Sequence, residues 1–332
     1  MTVGLVIVTW NAEAFIARTL AAVAAQARPP DRLVVIDNAS TDGTWAALER
    51  IAASWPGPSP PRLVQAGANL GFAAANNRAV DLLSDCALVA LLNPDAVPEP
   101  GWLAALVDAA TAHPEAASFA SRLMIDGRPG VLDGAGDVCH VGGLVWRHGH
   151  GQPIDRVPGA LEARPAFAAC AAAALYRRDD WRRAGGLDER FFCYVEDVDL
   201  GFRLQLLGRP CRYVPDAVAH HAGSASAGVD SAFAVYHGHR NLEWMFVKNL
   251  PSPLLWRYLP LHLATWAAGF ARCAARRRAG AYARAKWDAM RGLPSAWRAR
   301  QAVQASRQVS VAEVSARLDR SSLWRRFTPP AS

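Results

Sequence analysis

Several common signatures are missing from this chain of 332 residues. Its six cysteines, at 86, 139, 170, 193, 211 and 273, form no CxxC pair and no zinc-like spacing. They read as reduced, mostly buried thiols of a cytosolic protein rather than a disulfide framework or a metal knuckle. No basic leader precedes the first apolar run, so no signal peptide and no export are expected. The cleanest long apolar run, 258–271, has fourteen residues, short of the ~20 that a spanning helix needs. No glycine occurs in TWNAEAF after the first apolar run, which argues against a Rossmann dinucleotide site, and no Walker A sequence appears. Internal repeats are absent, as is any low-complexity tract beyond a high alanine content.

What is present is a chain with 52% hydrophobic residues, enough for a full core. Its length fits about two domains of ~150 residues, or one large α/β domain with a tail. Charge divides unevenly. Residues 250–332 hold fifteen Arg or Lys and three acidic residues, a net +12, while the first 249 hold 21 basic and 26 acidic residues, a net −5. The tail is suited to a polyanionic surface; the body reads as an ordinary soluble enzyme.

VGLVIV (3–8), RLVVID (32–37), RLVQA (62–66) and ALVALL (87–92) are apolar runs without alternation, as expected of strands buried on both faces. Between and after them, 12–26, 44–54, 73–83 and 101–113 carry apolar residues at helical spacing. Alternation of strands and helices predicts a parallel sheet with right-handed crossovers. The segment 120–165 is Gly-rich and weakly patterned, with strands expected near 118–125 and 138–146. Residues 167–186 predict a strand and a short helix, 197–208 a helix stopped by Gly208, and 212–221 a late strand. The apolar stretch 253–275, followed by Arg276-Arg277-Arg278, suits either an interfacial helix on anionic lipid or a core helix packed on the body.

Polar residues gather where strands end. TWN (9–11), DNAS-TDGT (37–44) and NPD (93–95) each follow a predicted strand. Any one of them is what a plain turn uses, but three on one rim point to a ligand crevice at the carboxyl edge of a parallel sheet. FFCYVEDVDLGFRL (191–204) places Glu196 and Asp197 at a helix start, where the dipole favours anions, and spaces Asp199 to pair with Arg203. Three carboxylates in four residues exceed what capping requires, so one of them is a candidate general base. His220-His221 ends the late strand; together with Asp95 it offers oxygen and imidazole donors, a set suited to Mg²⁺ or Mn²⁺ on a diphosphate more than to zinc.

In order along the chain, VIVTWNAEAFIARTL, VVIDNASTDGT, ANLGFAAANN, LLNPDA, GGLDERFFCYVEDVDLGFRLQLLG and VAHHAGSAS resemble a family 2 glycosyltransferase of GT-A fold. Within it they resemble the rhamnosyltransferase-like branch that works on bacterial cell-surface glycans. The resemblance covers about residues 3–250 and implies a Rossmann-like, mostly parallel central sheet flanked by helices. On this reading residues 1–250 are the transferase domain and 251–332 a helical, basic, membrane-associating extension.

The resemblance also assigns roles. Thr9, Asn11, Asp37 and Asn38 would hold the nucleotide's base and ribose. Asn69, Gly71, Phe72 and Asn76 would line the wall near the diphosphate. Asn93-Pro94-Asp95 stands at the family's DxD motif with Asn in first place, one negative charge fewer, so Asp95 would bind the diphosphate's metal. Asp197, beside Glu196, would be the catalytic base. His220, with His221 as an equally placed alternative, would be a further metal ligand, and Arg240 would reach the diphosphate. The implied reaction is inverting transfer of L-rhamnose from dTDP-rhamnose to a hydroxyl of a glycan or polyprenyl-diphosphate-linked acceptor. It would take place at the cytoplasmic face of an anionic membrane and involve no nucleic acid. Alternatives are a UDP-hexose or UDP-furanose donor, or an inactive nucleotide-sugar-binding protein.

Overall fold

A computed structural model describes residues 1–58, 60–223 and 231–323. The end of VAHHAGSAS and the last nine residues of the basic extension lie outside the described residues.

The first half alternates as expected: β1 (Val3–Thr9), α1 (Glu13–Ala24), β2 (Arg32–Asp37), α2 (Thr44–Ala53), β3 (Arg62–Gln65), α3 (Gly71–Asp81), β4 (Leu88–Leu92), β5 (Ala96–Pro98) and α4 (Trp102–Ala112). Then follow β6 (Ser118–Ile125), β7 (Leu132–Ala135), β8 (Asp137–Cys139), β9 (Val145–Arg147), β10 (Arg164–Ala166), β11 (Ala173–Arg177) and α5 (Arg178–Arg183). The chain continues through α6 (Glu196–Leu206), β12 (Cys211–His221), α7 (Ala232–Asn249), α8 (Ser252–Ala275), α9 (Ala279–Ala305) and α10 (Val311–Arg317).

The main sheet runs β10-β12-β6-β11-β4-β1-β2-β3. β3, β2, β1 and β4 are mutually parallel. Beyond them β11 lies antiparallel to both β4 and β6, while β6 and β12 pair in parallel and so run in the same direction as β4. β11 arrives from the irregular stretch after β10 and not through a crossover helix, so nothing forces it to run parallel. The sheet is mixed.

Every residue of β1 is buried, because helices cover both sheet faces. Leu5, Ile7, Leu33 and Val35 pack with Ile16, Leu20, Leu48 and Trp102 from α1, α2 and α4. Val6, Val8, Val34 and Ile36 pack on the other face with Ala75, Ala79 and Leu83. Chain order reverses at β1, since β2 lies on one side of it and β4 on the other. That switch opens a crevice at the carboxyl ends of these strands.

A third core joins Phe167, Phe202 and Leu206 to Met245, Phe246, Leu254, Leu255, Val309 and Val314, so residues on both sides of position 250 share it. α8 turns Leu254, Leu255, His262, Thr265, Gly269 and Cys273 inward and leaves Trp256, Leu261, Leu263 and Phe270 exposed. One stripe therefore packs on the body while the opposite face presents apolar side chains to the outside. Among the described residues, no helix is long and apolar enough to cross a membrane.

Candidate active site

A cavity of about 720 Å³ opens at the switch point, and Asn38, Asn69, Gly71, Phe72, Asn93, Asp95, Glu196, Asp197 and His221 all line it. Asp95 and Asp197 come from segments about a hundred positions apart, at the end of β4 and the start of α6, yet face one space.

On the Asp95 side, Oδ1 lies 3.4 Å from His221 Nε2. The opposite ring nitrogen, Nδ1, is 2.8 Å from Asp133 Oδ2. Burial opposes a charged imidazole, but hydrogen bonds to Asp133 and Asp95 outweigh it and carry the His221 pKa up to about 9. Asp133 is itself buried, which favours its neutral form; contacts from His150, His221 and Arg147 prevail and hold its carboxyl well below the usual range. Asn93 Nδ2 is 3.5 Å from His221 Nε2, and Asn93 Oδ1 is buried with no hydrogen-bond partner among the described residues.

Among the described residues, no three His, Cys, Asp or Glu side chains form a metal-holding group. A carboxylate, an imidazole nitrogen and an orphaned amide oxygen nevertheless converge here. The set suits a hard divalent ion that takes further oxygens from a diphosphate. The carboxylate–imidazole pairing through Nδ1 is the arrangement that fixes a metal-ligating histidine. The residues fit.

On the Asp197 side, Oδ2 accepts from the Ala171 N–H at 2.9 Å and Oδ1 from the Val198 N–H at 2.8 Å. Residues 167–172 do not extend the strand as expected, because their polar backbone serves side chains and neighbouring segments. Burial raises the Asp197 pKa although these two hydrogen bonds oppose it. Glu196 is pushed well above the ordinary value by burial and by the adjacent Asp197 charge, and its Oε2 is buried without a partner among the described residues. Of the pair, Asp197 has the better claim to the ionised role. Asp199 turns away from the cavity into a buried cluster, where it pairs with Arg203 at 2.9 Å, Lys248 at 2.8 Å and Asn249 at 2.8 Å.

The loop before α6 is strained. Phe192, Tyr194 and Val195 have φ of 67°, 69° and 72°, in the left-handed region that a β-branched residue rarely enters. Asn241, fully buried, holds the loop there: its Nδ2 donates to the carbonyls of Phe191, Cys193 and Tyr194 at 3.0, 2.9 and 2.8 Å. Gly71 accommodates the same loop from α3, since a Cβ on it would lie 2.5 Å from the Phe192 ring.

Other expected residues sit elsewhere. Thr9, Asn11, Asp37, Asn76, His220 and Arg240 do not line the cavity. Thr9 Oγ1 and Ser40 Oγ donate to Asp37 at 3.1 and 2.5 Å, so these residues brace the strand ends. Asn11 accepts from the Thr41 N–H at 2.8 Å, and Asn76 donates to the Phe72 carbonyl at 2.8 Å. His220 points outward to Glu99 at 3.0 Å, which leaves His221 as the inward member of the pair because neighbouring strand residues face opposite sides. Arg240, expected at the diphosphate, donates to the carbonyls of Arg190 and Phe191 at 3.2 and 2.9 Å and stacks on Trp244, with its Cζ 4.5 Å from the ring centroid.

Sequence reasoning missed Asp133, Asp137 and Arg147, all from the weakly patterned segment. Arg147 pairs with Asp133 and lines the cavity with Asp137 and Trp146. Burial and the Asp197 charge raise Asp137 well above the ordinary value. The available signal was LDGAGD (132–137), two carboxylates separated by small residues.

Residues 5–180, just over half the chain, match the family described as Glycosyl transferase family 2. The chain is 32% identical over 284 residues to the N-acetylglucosaminyl-diphospho-decaprenol L-rhamnosyltransferase of Mycobacterium tuberculosis, covering 76% of this chain and 87% of that protein. Among solved structures it resembles GalNAc-T7 with UDP, GalNAc and Mn²⁺ (TM-score 0.64, 15% identity, 81% of this chain and 51% of that chain). It also resembles the mannosyltransferase PcManGT of Pyrobaculum calidifontis in complex with GDP-Man and Mn²⁺ (TM-score 0.56, 22% identity, 98% of this chain and 87% of that chain). The structural likenesses speak for the fold.

Proposed function

The chain belongs to glycosyltransferase family 2, and on that premise we propose that it is an inverting enzyme transferring L-rhamnose from dTDP-rhamnose to a polyprenyl-diphosphate-linked sugar. One observation carries the reading: Asp95 with His221 and Asn93, and Asp197 with its two backbone donors, line the same cavity. The name of the Mycobacterium tuberculosis relative supports the donor sugar and the acceptor class.

In this mechanism Asn38 and Asn69, which hydrogen-bond each other at 2.9 Å, form the wall beside the nucleotide. Asp95, His221 and Asn93 would hold Mg²⁺ or Mn²⁺, which when bound would offset charge on the leaving diphosphate. Two solved neighbours contain Mn²⁺. Asp197 accepts the acceptor hydroxyl's proton as its oxygen bonds to the anomeric carbon and the carbon–diphosphate oxygen bond breaks. A single displacement inverts that carbon. The Ala171 and Val198 N–H groups fix the carboxylate's position and Asn241 fixes the loop behind it.

The basic extension and the apolar outer face of α8 support work at an anionic membrane surface. Flotation with vesicles containing or lacking anionic lipid tests that part, and no binding to either rejects it. The donor is tested by thermal shift and transfer assays on a panel of dTDP- and UDP-sugars with and without Mn²⁺. Stabilisation and turnover with dTDP-rhamnose are expected; turnover with a UDP-hexose or UDP-furanose instead would replace the donor assignment.

A further inference from the structure

Asp137 lines the cavity and is only about 4% exposed, and its Oδ2 is buried with no hydrogen-bond partner among the described residues. Arg147 lies directly across the β8–β9 pair from it, the position of a natural counter-ion. Its guanidinium pairs instead with Asp133. A polar atom orphaned in a folded interior costs stability, so such an atom in a cavity wall calls for a partner from outside the chain.

Backbone bonds fix where Asp137 stands. Its N–H donates to the Ala168 carbonyl at 3.0 Å, and its carbonyl accepts from the Phe167 N–H at 3.1 Å. Gly136 permits that approach: its φ is 78°, and a Cβ there would lie 2.8 Å from the Ala166 Cβ. Three positions past Ala168, the Ala171 N–H holds Asp197. Four positions before Asp137, Asp133 holds His221 on the cation side. Asp137 thus joins the segment that fixes the base to the segment that backs the cation site. A sugar reaching from a diphosphate at Asp95 to Asp197 passes this stretch of wall.

The carboxyl is also in the right chemical state for a sugar. Burial first, then the nearby Asp197 charge, keeps it protonated against the opposing effect of Arg147. A neutral carboxyl carries an O–H donor and an acceptor oxygen together. That matches a sugar hydroxyl, which both donates and accepts, and it adds no repulsion toward a diphosphate.

We infer that Asp137 binds a hydroxyl of the transferred sugar through its orphaned carboxyl oxygen. The inference rests on the transferase reading above and deepens it: Asp137 reads the donor's sugar, as distinct from its nucleotide.

The test compares the full-length wild type with Asp137→Leu and Asp137→Asn, titrated calorimetrically in Mn²⁺ with bare dTDP and with dTDP-rhamnose. Leucine should weaken dTDP-rhamnose about threefold to tenfold, the scale of one neutral hydrogen bond, and leave dTDP unchanged. Asparagine, whose amide also donates and accepts, should stay near the wild type. Leucine removes a buried group that has no partner, so Tm should hold or rise. A lower Tm or failure to fold, with dTDP and dTDP-rhamnose weakened alike, would make Asp137 a structural residue and end the proposal. A rise in acceptor KM with dTDP-rhamnose affinity intact would move the carboxyl to the acceptor sugar and refute the donor assignment.

Analogues of the donor lacking the 2-, 3- or 4-hydroxyl of its sugar give a second arm. One of them should bind the wild type as weakly as the parent binds Asp137→Leu, and the leucine should weaken that analogue no further. Additive losses with all three would refute the inference. If another nucleotide sugar proves to be the donor, the same titrations apply with that sugar and its nucleotide. A wild type that binds no nucleotide sugar at all defeats the transferase reading and this inference together. A wild type that binds one, with Asp137→Leu binding it equally well, defeats this inference alone.

Discussion

Asp133 holds Nδ1 of His221 at 2.8 Å, and the ring's Nε2 is thereby turned toward Asp95. The carboxylate is buried beneath the cavity floor and comes from β7, 88 positions before the histidine. Its effect is to settle which nitrogen faces the ligand space.

Replacing it should act on the cation site without touching the cavity surface. Asp133→Asn is expected to weaken Mn²⁺ affinity about tenfold to a hundredfold, the range for partners of ligating histidines. Calorimetric titration of Mn²⁺ into the nucleotide-saturated protein measures it. Unchanged affinity would remove Asp133 from this role. Asp95→Ala serves as the reference and should weaken nucleotide binding mainly when metal is present.

Asp197→Asn should retain donor binding and lose transfer. The amide cannot take the acceptor's proton, a loss on the order of 10²–10⁴ in rate. Oδ1 of the amide can still accept one of the two backbone N–H groups, so the cavity wall should persist. Initial rates at saturating donor decide the matter, and turnover near that of the wild type would exclude Asp197 as base.

Acid should suppress the reaction earlier than an ordinary aspartate would. Burial raises the Asp197 pKa, and only the ionised form accepts a proton, so kcat/KM should fall as pH drops through a value above ~3.9. A raised folded-state value also means that the folded protein binds this proton more tightly than the unfolded chain. Ionisation is therefore disfavoured by the fold, and the wild type should lose stability relative to Asp197→Asn as pH rises through that interval. A flat kcat/KM profile down to pH ~4 would contradict the assignment.

Asn241→Ala should damage catalysis from a distance. It removes the Asn241 donor from the carbonyls of Phe191, Cys193 and Tyr194, of which Phe191 keeps the Arg240 guanidinium, at a cost on the order of 1–3 kcal/mol for a buried acceptor left unpaired. The strained backbone at 192–195 should then relax and move Asp197. A lower Tm with a fall in kcat larger than any rise in donor KM is the expected pattern. Loss of Tm with kcat unchanged would make Asn241 a matter of stability alone.

The sequence by itself determined the parallel half of the sheet and the rim of the crevice. β1, β2 and β4 were legible because burial on both faces leaves an unbroken apolar run, a local property of each segment. The positions of Asn93, Asp95 and Asp197 were legible because turn residues and helix starts have local chemical signatures. Tertiary structure alone decided the reversed direction of β11, the facing of His221 and not His220 into the cavity, and the contacts of Arg240 with the Arg190 and Phe191 carbonyls. It also brought Asp133, Asp137 and Arg147 to the site from a segment with no periodicity to read. Each of these depends on partners far away in the chain: Ala171 meets Asp197 across 26 positions and Asp133 meets His221 across 88. Periodicity reports which way a side chain faces. Which distant group it meets there is set by the packing of the whole chain.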